Sequence, residues 1–220
     1  MADRTALTAG LLAYVDSLTP EPPALRAVRD ETTRMPMLAR MVSSAAQARL
    51  LALLVATIDA RRVLEIGTFT GYSTLAMALS AGPDCVITTC DSVPRWTRIA
   101  KRHWDRNGVT GKITLRLGDA GATLAELVAT EAEFDLAYID ADKASYPTYY
   151  RRCMRLVRPG GLVLLDNTFC LGRVADRTAT DAETEAVREV NRLIKADERA
   201  QEVVLTIGDG LTIVRRNQDF

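Results

Sequence analysis

From Arg62 onward the chain alternates short apolar runs with longer amphipathic stretches. The apolar runs predict strands over 63–66, 86–90, 112–117, 134–139 and 162–165. The intervening stretches, with apolar residues at helical spacing, predict helices over 72–81, 94–107, 122–131 and 146–157. Pro94 suits a first helical turn, Asn107-Gly108 a stop, and Pro159-Gly160-Gly161 a turn. Near-continuous apolar strands in a β–α alternation imply a parallel sheet covered by helices on both faces. A last helix over 182–196 leads to runs at 203–207 and 211–214 around Gly208-Asp209-Gly210, a hairpin signal that ends the sheet in an antiparallel pair. The first sixty residues read as helices over 8–18, from Pro22-Pro23 onward, and over 43–58, a cap ahead of the sheet. The expectation is one α/β domain over 1–220, with a helical cap (1–60) and a Rossmann-like core (61–220). The polar segment 173–181, just beyond a strand end, is the candidate for a mobile lid.

Composition narrows the partners. The 220 residues are 48% hydrophobic and 25% charged, and 28 basic residues balance 28 acidic ones. No net field draws the chain to nucleic acid or to an anionic membrane. Cys85, Cys90, Cys153 and Cys170 show no C-x-x-C spacing and read as reduced packing thiols. The N-terminus lacks the apolar core of a signal peptide, and no run is long enough to span a bilayer, so the expected location is cytoplasmic.

Chemistry concentrates where apolar runs end. Tyr138-Ile139-Asp140-Ala141-Asp142-Lys143 and Leu164-Leu165-Asp166-Asn167 each pass abruptly from strand to oxygen-bearing side chains, bringing Asp140, Asp166 and Asn167 to one sheet edge with Lys143 beside them. Two carboxylates and an amide suit a hard cation, Mg²⁺ first, with Ca²⁺ or Mn²⁺ as alternatives; without His or Cys they do not suit zinc. On the other side, Glu65-Ile66-Gly67-Thr68-Phe69-Thr70-Gly71 is a strand running into a glycine turn. Phe69 stands where a dinucleotide fingerprint requires glycine, which disfavours a pyrophosphate and a nicotinamide enzyme. Asp91, at the next strand end, can accept from ribose hydroxyls, Gly118-Asp119-Ala120 can frame an adenine, and Glu65 suits an ammonium. Together they fit S-adenosylmethionine better than NAD. The plainer alternatives are that Glu65 is a strand-end charge, Asp91 a helix cap and Lys143 a surface ion pair.

These motifs (VLEIGTFTGYST, YIDADK, RPGG, LLDN and IGDGLT) resemble the cation-dependent O-methyltransferases of the catechol and caffeoyl-coenzyme A type, particularly small bacterial members, over about residues 41–216. The resemblance implies that Met41, Glu65, Gly67, Ser73, Asp91, Ala120 and Asp142 contact S-adenosylmethionine. Thr68, Phe69, Asp119 and Asp140 complete that candidate site. It implies further that Asp140, Asp166 and Asn167 hold a divalent cation, that the sheet has seven strands, and that the protein is a homodimer. The expected reaction is methyl transfer to a hydroxyl of a small catechol-like phenol in bacterial secondary metabolism, with Lys143 and Asp140 as catalytic residues. Lys143 would accept or stabilise the departing proton. A carrier-bound hydroxyacyl group or a larger natural-product hydroxyl is the alternative acceptor, and a non-catalytic binding protein is disfavoured by the intact acids and lysine.

The remaining distinctive residues read as structural. His103, within a helix far from the strand ends, is expected to be solvated or capping; Trp96 and Trp104 pack; Tyr146, Tyr149 and Tyr150 make core or dimer contacts. The pattern departs from the family at Cys170, where relatives place an aromatic residue against the acceptor, and at Ser145, an asparagine in plant members. Arg173 and Arg177 are candidates for an anionic group on the acceptor.

Overall fold

A computed structural model describes residues 6–35 and 41–218. Its centre is a seven-stranded sheet in the order β3-β2-β1-β4-β5-β7-β6, built from β1 (Arg62–Ile66), β2 (Val86–Asp91), β3 (Ile113–Leu117), β4 (Phe134–Ile139), β5 (Val157–Asp166), β6 (Ala200–Leu205) and β7 (Leu211–Arg216). The first five run parallel, and β7 lies antiparallel between β5 and β6. This is the helix-covered parallel sheet with an antiparallel end expected from the β–α alternation and the terminal hairpin signal, with the seven strands that the resemblance implies. The strand order reverses between β1 and β4, so the crevice at their carboxyl ends is where a ligand enters such a sheet.

Helices α3 (Ala45–Thr57), α4 (Tyr72–Ser80) and α5 (Pro94–Arg106) cover one face, with α2 (Pro23–Thr33) outside them. Their core includes Leu51, Val55, Leu75, Met77, Trp104 and Tyr138. Helices α6 (Ala120–Ala129), α7 (Tyr146–Leu156) and α8 (Ala182–Ala196) cover the other face around Leu124, Tyr146, Cys153, Met154, Val190 and Ile194. Alternate residues of each strand feed the two cores, which is why the strands read as continuous apolar runs. In contrast, α1 (Ala9–Leu18) buries none of its residues and exposes Leu12, Tyr14, Val15 and Leu18.

Three expectations change. Pro159-Gly160-Gly161 does not end one element and start another: β5 begins at Val157, and the glycines form an irregularity where its register with β4 shifts between Phe134 and Leu136. A side chain at Gly161 would lie 2.6 Å from the Asp135 carbonyl oxygen. Residues 173–181 are not a free lid. The Arg188 guanidinium donates to the carbonyls of Arg173 (2.9 Å), Val174 (3.2 Å) and Ala179 (2.7 Å), and also to that of Asp176. A charged fork facing clustered carbonyl oxygens pins the segment to α8. His103 is neither solvated nor a terminal cap: it is buried, with Nε2 2.8 Å from the Glu31 carboxylate, and ties α5 to α2. Arg102 pairs with the same Glu31, and against some burial the hydrogen bonds from His103 and then Arg102 hold that carboxyl below its ordinary range.

Candidate active site

The cavity at the switch point occupies about 910 Å³. Its first wall is the turn after β1. Gly67 and Thr68 both donate their backbone N–H to the Cys90 carbonyl, at 2.9 and 3.1 Å, which folds the turn over the end of β2. Gly67 has a φ of +104°, and a Cβ there would lie 1.8 Å from the Asp140 carbonyl oxygen. Gly71 begins α4 at φ +80°, and its Cβ would meet the Ala100 Cβ at 2.6 Å. The two glycines of the G-x-x-x-G spacing therefore let β4 and α5 close on the turn. Phe69 presents its N–H to Asp91 Oδ2 (2.7 Å), and its ring packs edge-on against Trp96 with centroids 5.1 Å apart.

Asp91 accepts a second bond from the Val93 N–H (2.7 Å) at Oδ1. It thus caps the entry to α5, as the plainer alternative holds, and still keeps free lone pairs on both oxygens at the cavity wall. Asp119 caps α6 by accepting from the Ala122 N–H at 2.6 Å, with Ala120 beside it. Met41, Ser73 and Asp142 also line the cavity. Glu65 does not. It is fully buried behind the turn, where it accepts hydrogen bonds from Ser73 (2.6 Å), Thr89 (2.6 Å) and Thr74. Burial pushes its carboxyl up to about 7 against the pull of those hydroxyls. It reaches the cavity only through Ser73, so a direct ammonium contact is not in place.

The second wall is the β4 and β5 ends. Asp140, Lys143, Asp166 and Asn167 converge on the same cavity. Lys143 Nζ donates to Tyr146 Oη (2.7 Å) and the Ala141 carbonyl (3.0 Å), with a longer contact to Asp140 Oδ1 (3.5 Å). This is a half-buried, anchored ammonium rather than a surface ion pair. Asp166 is buried. Its Oδ1 accepts from Gln47 Nε2 (2.6 Å) and the Asn167 N–H (2.6 Å), and its Oδ2 from Tyr138 Oη (2.8 Å). Burial, reinforced by the Asp140 charge, raises the Asp166 carboxyl to about 7. Desolvation also raises Asp140, with Lys143 opposing it. Asn167 sits at φ +54°, a left-handed conformation asparagine tolerates better than most residues, which turns the chain directly after the strand.

Among the described residues no three His, Cys, Asp or Glu side chains gather into a ready metal cage. The set present is two carboxylates and an amide. Two partly desolvated carboxylates, both raised by burial and one raised further by the other's charge, form a site short of positive charge, which fits a hard cation completed by water and an acceptor.

Several partners of this site carry no sequence signal of their own. Gln47 comes from α3. Tyr146 and Tyr149 are core residues as expected, yet their hydroxyls also hold the site, Tyr146 on Lys143 and Tyr149 on Asp142 (2.7 Å). Tyr138 offers one cue: a tyrosine inside a buried strand needs a hydroxyl partner. Beyond Asn167, Cys170 is buried on the cavity wall with Arg173 Nη2 3.1 Å from its sulfur, while Leu171 is 80% exposed. Arg173 lines the cavity but also lies near Asp181 and Glu183, and Arg177 does not line it. All four cysteines are free and buried. No helix among the described residues is long and apolar enough to cross a membrane.

A family model described as O-methyltransferase matches residues 15–217. The mouse catechol O-methyltransferase domain-containing protein 1 is 37% identical over 195 residues, covering 88% of this chain and 74% of its own. The caffeoyl-CoA O-methyltransferase of Populus kitakamiensis is 34% identical over 202 residues, covering 87% and 86%. Among solved structures, TomG of Streptomyces achromogenes, an O-methyltransferase involved in tomaymycin synthesis and seen in complex with SAM, superposes with a TM-score of 0.85 at 29% identity over 95% of this chain and 96% of that one. With most of its length matched by sequence and by fold, the chain belongs to the O-methyltransferase family.

Proposed function

We propose that the protein transfers the methyl group of S-adenosylmethionine to a hydroxyl of a small catechol-like phenol, and that the transfer depends on a divalent cation. The observation that carries this reading is the meeting, in one cavity, of the Asp140–Lys143–Asp166–Asn167 group with the Gly67 turn and Asp91. The turn and Asp91 offer backbone and carboxylate contacts to a nucleoside, and Asp119 and Ala120 would border its base. The cavity's many carboxylates suit a cationic sulfonium. Asp140, Asp166 and Asn167 would hold the cation, Mg²⁺ first, which when bound lowers the pKa of a phenol and fixes its orientation.

The protein's own contribution is position and proton handling. In-line displacement needs the acceptor oxygen aligned on the methyl carbon, and alignment is most of the task. Lys143 is anchored by Tyr146 and the Ala141 carbonyl, so the neutral amine, formed when one ammonium proton passes to solvent, keeps those two N–H bonds, gives up its loosest contact, to Asp140, and takes the phenolic proton on the freed lone pair. Cys170 in place of an aromatic wall, with the likeness to an enzyme of tomaymycin synthesis, favours a larger natural-product hydroxyl as the second reading. We read the protein as a cytoplasmic homodimer, for which the exposed apolar residues of α1 are a surface a second subunit would cover.

The test is turnover of catechols with labelled S-adenosylmethionine. EDTA is expected to abolish it and Mg²⁺ to restore it, and Asp166→Ala to lack it. Full turnover in chelator would refute the cation, and binding of NADH but not S-adenosylhomocysteine would refute the methyl donor.

A further inference from the structure

Gln47 is a polar side chain buried in the first turn of α3, 119 residues away in sequence from the carboxylate it bonds. Its two amide atoms are both committed. Oε1 accepts the Ser44 N–H at 3.1 Å, while the Gln47 N–H donates to Ser44 Oγ at 3.1 Å, a reciprocal capping box at the start of the helix. Because the Ser44 N–H can only donate, Oε1 must face it, and the Nε2 donor is turned onto Asp166 Oδ1 at 2.6 Å. The third side of the amide is closed by the β6–β7 loop: Gly208, at φ +57°, lies so near that a Cβ would be 2.6 Å from Oε1. The helix start, the β5 end and the terminal hairpin meet on this one amide.

Asp166 is thereby held from both oxygens. Gln47 and the Asn167 N–H occupy Oδ1, and Tyr138 occupies one site of Oδ2. A carboxylate offers about four lone-pair sites, so these three donors leave one, on Oδ2. We infer that Gln47 is a positioning residue: with its Oε1 held by the Ser44 N–H, its Nε2 fixes the rotation of the Asp166 carboxylate so that the remaining Oδ2 lone pair faces the cavity. This rests on the cation reading above, since it is for a cation that the orientation of Asp166 matters. The helical cap is then part of the site, and not only a cover for the sheet.

Binding of Mn²⁺, measured by the loss of the free-ion electron paramagnetic resonance signal and by calorimetry, tests this without turnover. Outer partners of metal-binding side chains contribute about 10- to 100-fold to affinity. Gln47→Leu, which keeps the side-chain bulk, is expected to weaken Mn²⁺ at least about tenfold. Ser44→Ala removes the cap hydroxyl but keeps the backbone N–H that orients the Gln47 amide. It is expected to lower the melting temperature while leaving the Mn²⁺ dissociation constant unchanged. If Gln47→Leu does not fold, Gln47→Asn, one methylene too short to span both partners, is read the same way. Wild-type affinity in the Gln47 variant, or equal weakening by Ser44→Ala, overturns the positioning role. Absence of Mn²⁺ binding by the wild-type protein overturns the cation reading itself, and this inference with it.

Discussion

Gly67→Ala puts the closeness of β1 and β4 to a quantitative test. The added Cβ would sit 1.8 Å from the Asp140 carbonyl oxygen, whereas carbon and carbonyl oxygen rest at about 3.3 Å, so the strands must part by roughly 1.5 Å at their carboxyl ends. That movement breaks the bond from the Asp140 N–H to the Ile66 carbonyl, now 2.8 Å, at a cost of about 1 kcal/mol. Holding alanine at φ +104° costs about 1–2 kcal/mol, and the residual crowding about 1–3 kcal/mol. The sum is about 3–6 kcal/mol. Gly108→Ala supplies the reference, because Gly108 also has positive φ (+68°) but its Cβ would meet nothing within 4 Å; it should cost about 1 kcal/mol. Urea unfolding of both variants gives the difference, expected at about 2–5 kcal/mol. Since Asp140 moves with its carbonyl, methyl transfer by Gly67→Ala should fall about 100-fold. A difference below about 1 kcal/mol with undiminished transfer would refute the close approach.

Glu65, raised by burial to about 7 from an ordinary 4.5, binds its proton more tightly folded than unfolded. Its contribution is therefore fully present below about 4.5 and lost as pH rises through about 7. Between pH 5 and 8 the wild type should lose up to about 3 kcal/mol more stability than Glu65→Gln, as read by urea unfolding across that range; parallel curves would show that Glu65 does not titrate there. Arg188→Ala should free the carbonyls of Arg173, Val174, Asp176 and Ala179, cost about 2 kcal/mol, and speed hydrogen exchange over 173–179. Unchanged exchange would mean the segment holds itself. Lys143→Ala should lower kcat with little change in KM, and Tyr146→Phe should do so about tenfold while the melting temperature stays near the wild-type value. A change confined to KM would assign both residues to substrate binding.

The strands, their order of appearance and the oxygen-bearing strand ends are legible because each is a local pattern: an apolar run fixes a strand, and the residues just after it land at the sheet edge. Asp140, Lys143, Asp166 and Asn167 are found that way. Whatever is decided by contacts distant in sequence stays hidden. Glu65 looks like a ligand at a strand end, yet side chains alternate between sheet faces, and it turns under the loop to meet Ser73, Thr74 and Thr89. The glycine turn after β1 reads as part of a cofactor site, whereas the space left beside its two glycines is taken by Asp140 and Ala100 of the chain itself. Residues 173–181 look loose because they are polar and irregular, and only the position of Arg188 on α8 reveals the anchor. His103 reads as surface until Glu31, 72 residues earlier, is packed against it.

The acids of the cavity separate by how far the protein has already satisfied them. Asp91 receives the Phe69 and Val93 N–H groups, Asp119 the Ala122 N–H, and Asp142 the Tyr149 hydroxyl and the Ser145 N–H. Each of these shapes the backbone around it. Asp166 has three donors and is still raised to about 7, because it is buried and faces Asp140. Among the described residues Asp140 has only Lys143, at 3.5 Å. A carboxylate left partly desolvated and short of partners is costly, and among the described residues the fold meets that cost at part-buried Asp140 with one distant ammonium. Structural acids elsewhere in the cavity are not left so. The open lone pairs of Asp140, beside a second acid with one of its own, are therefore where added positive charge is stabilised most. Restraint of Asp166 by Gln47 matters for the same reason: a carboxylate pair can share a cation only if neither rotates away.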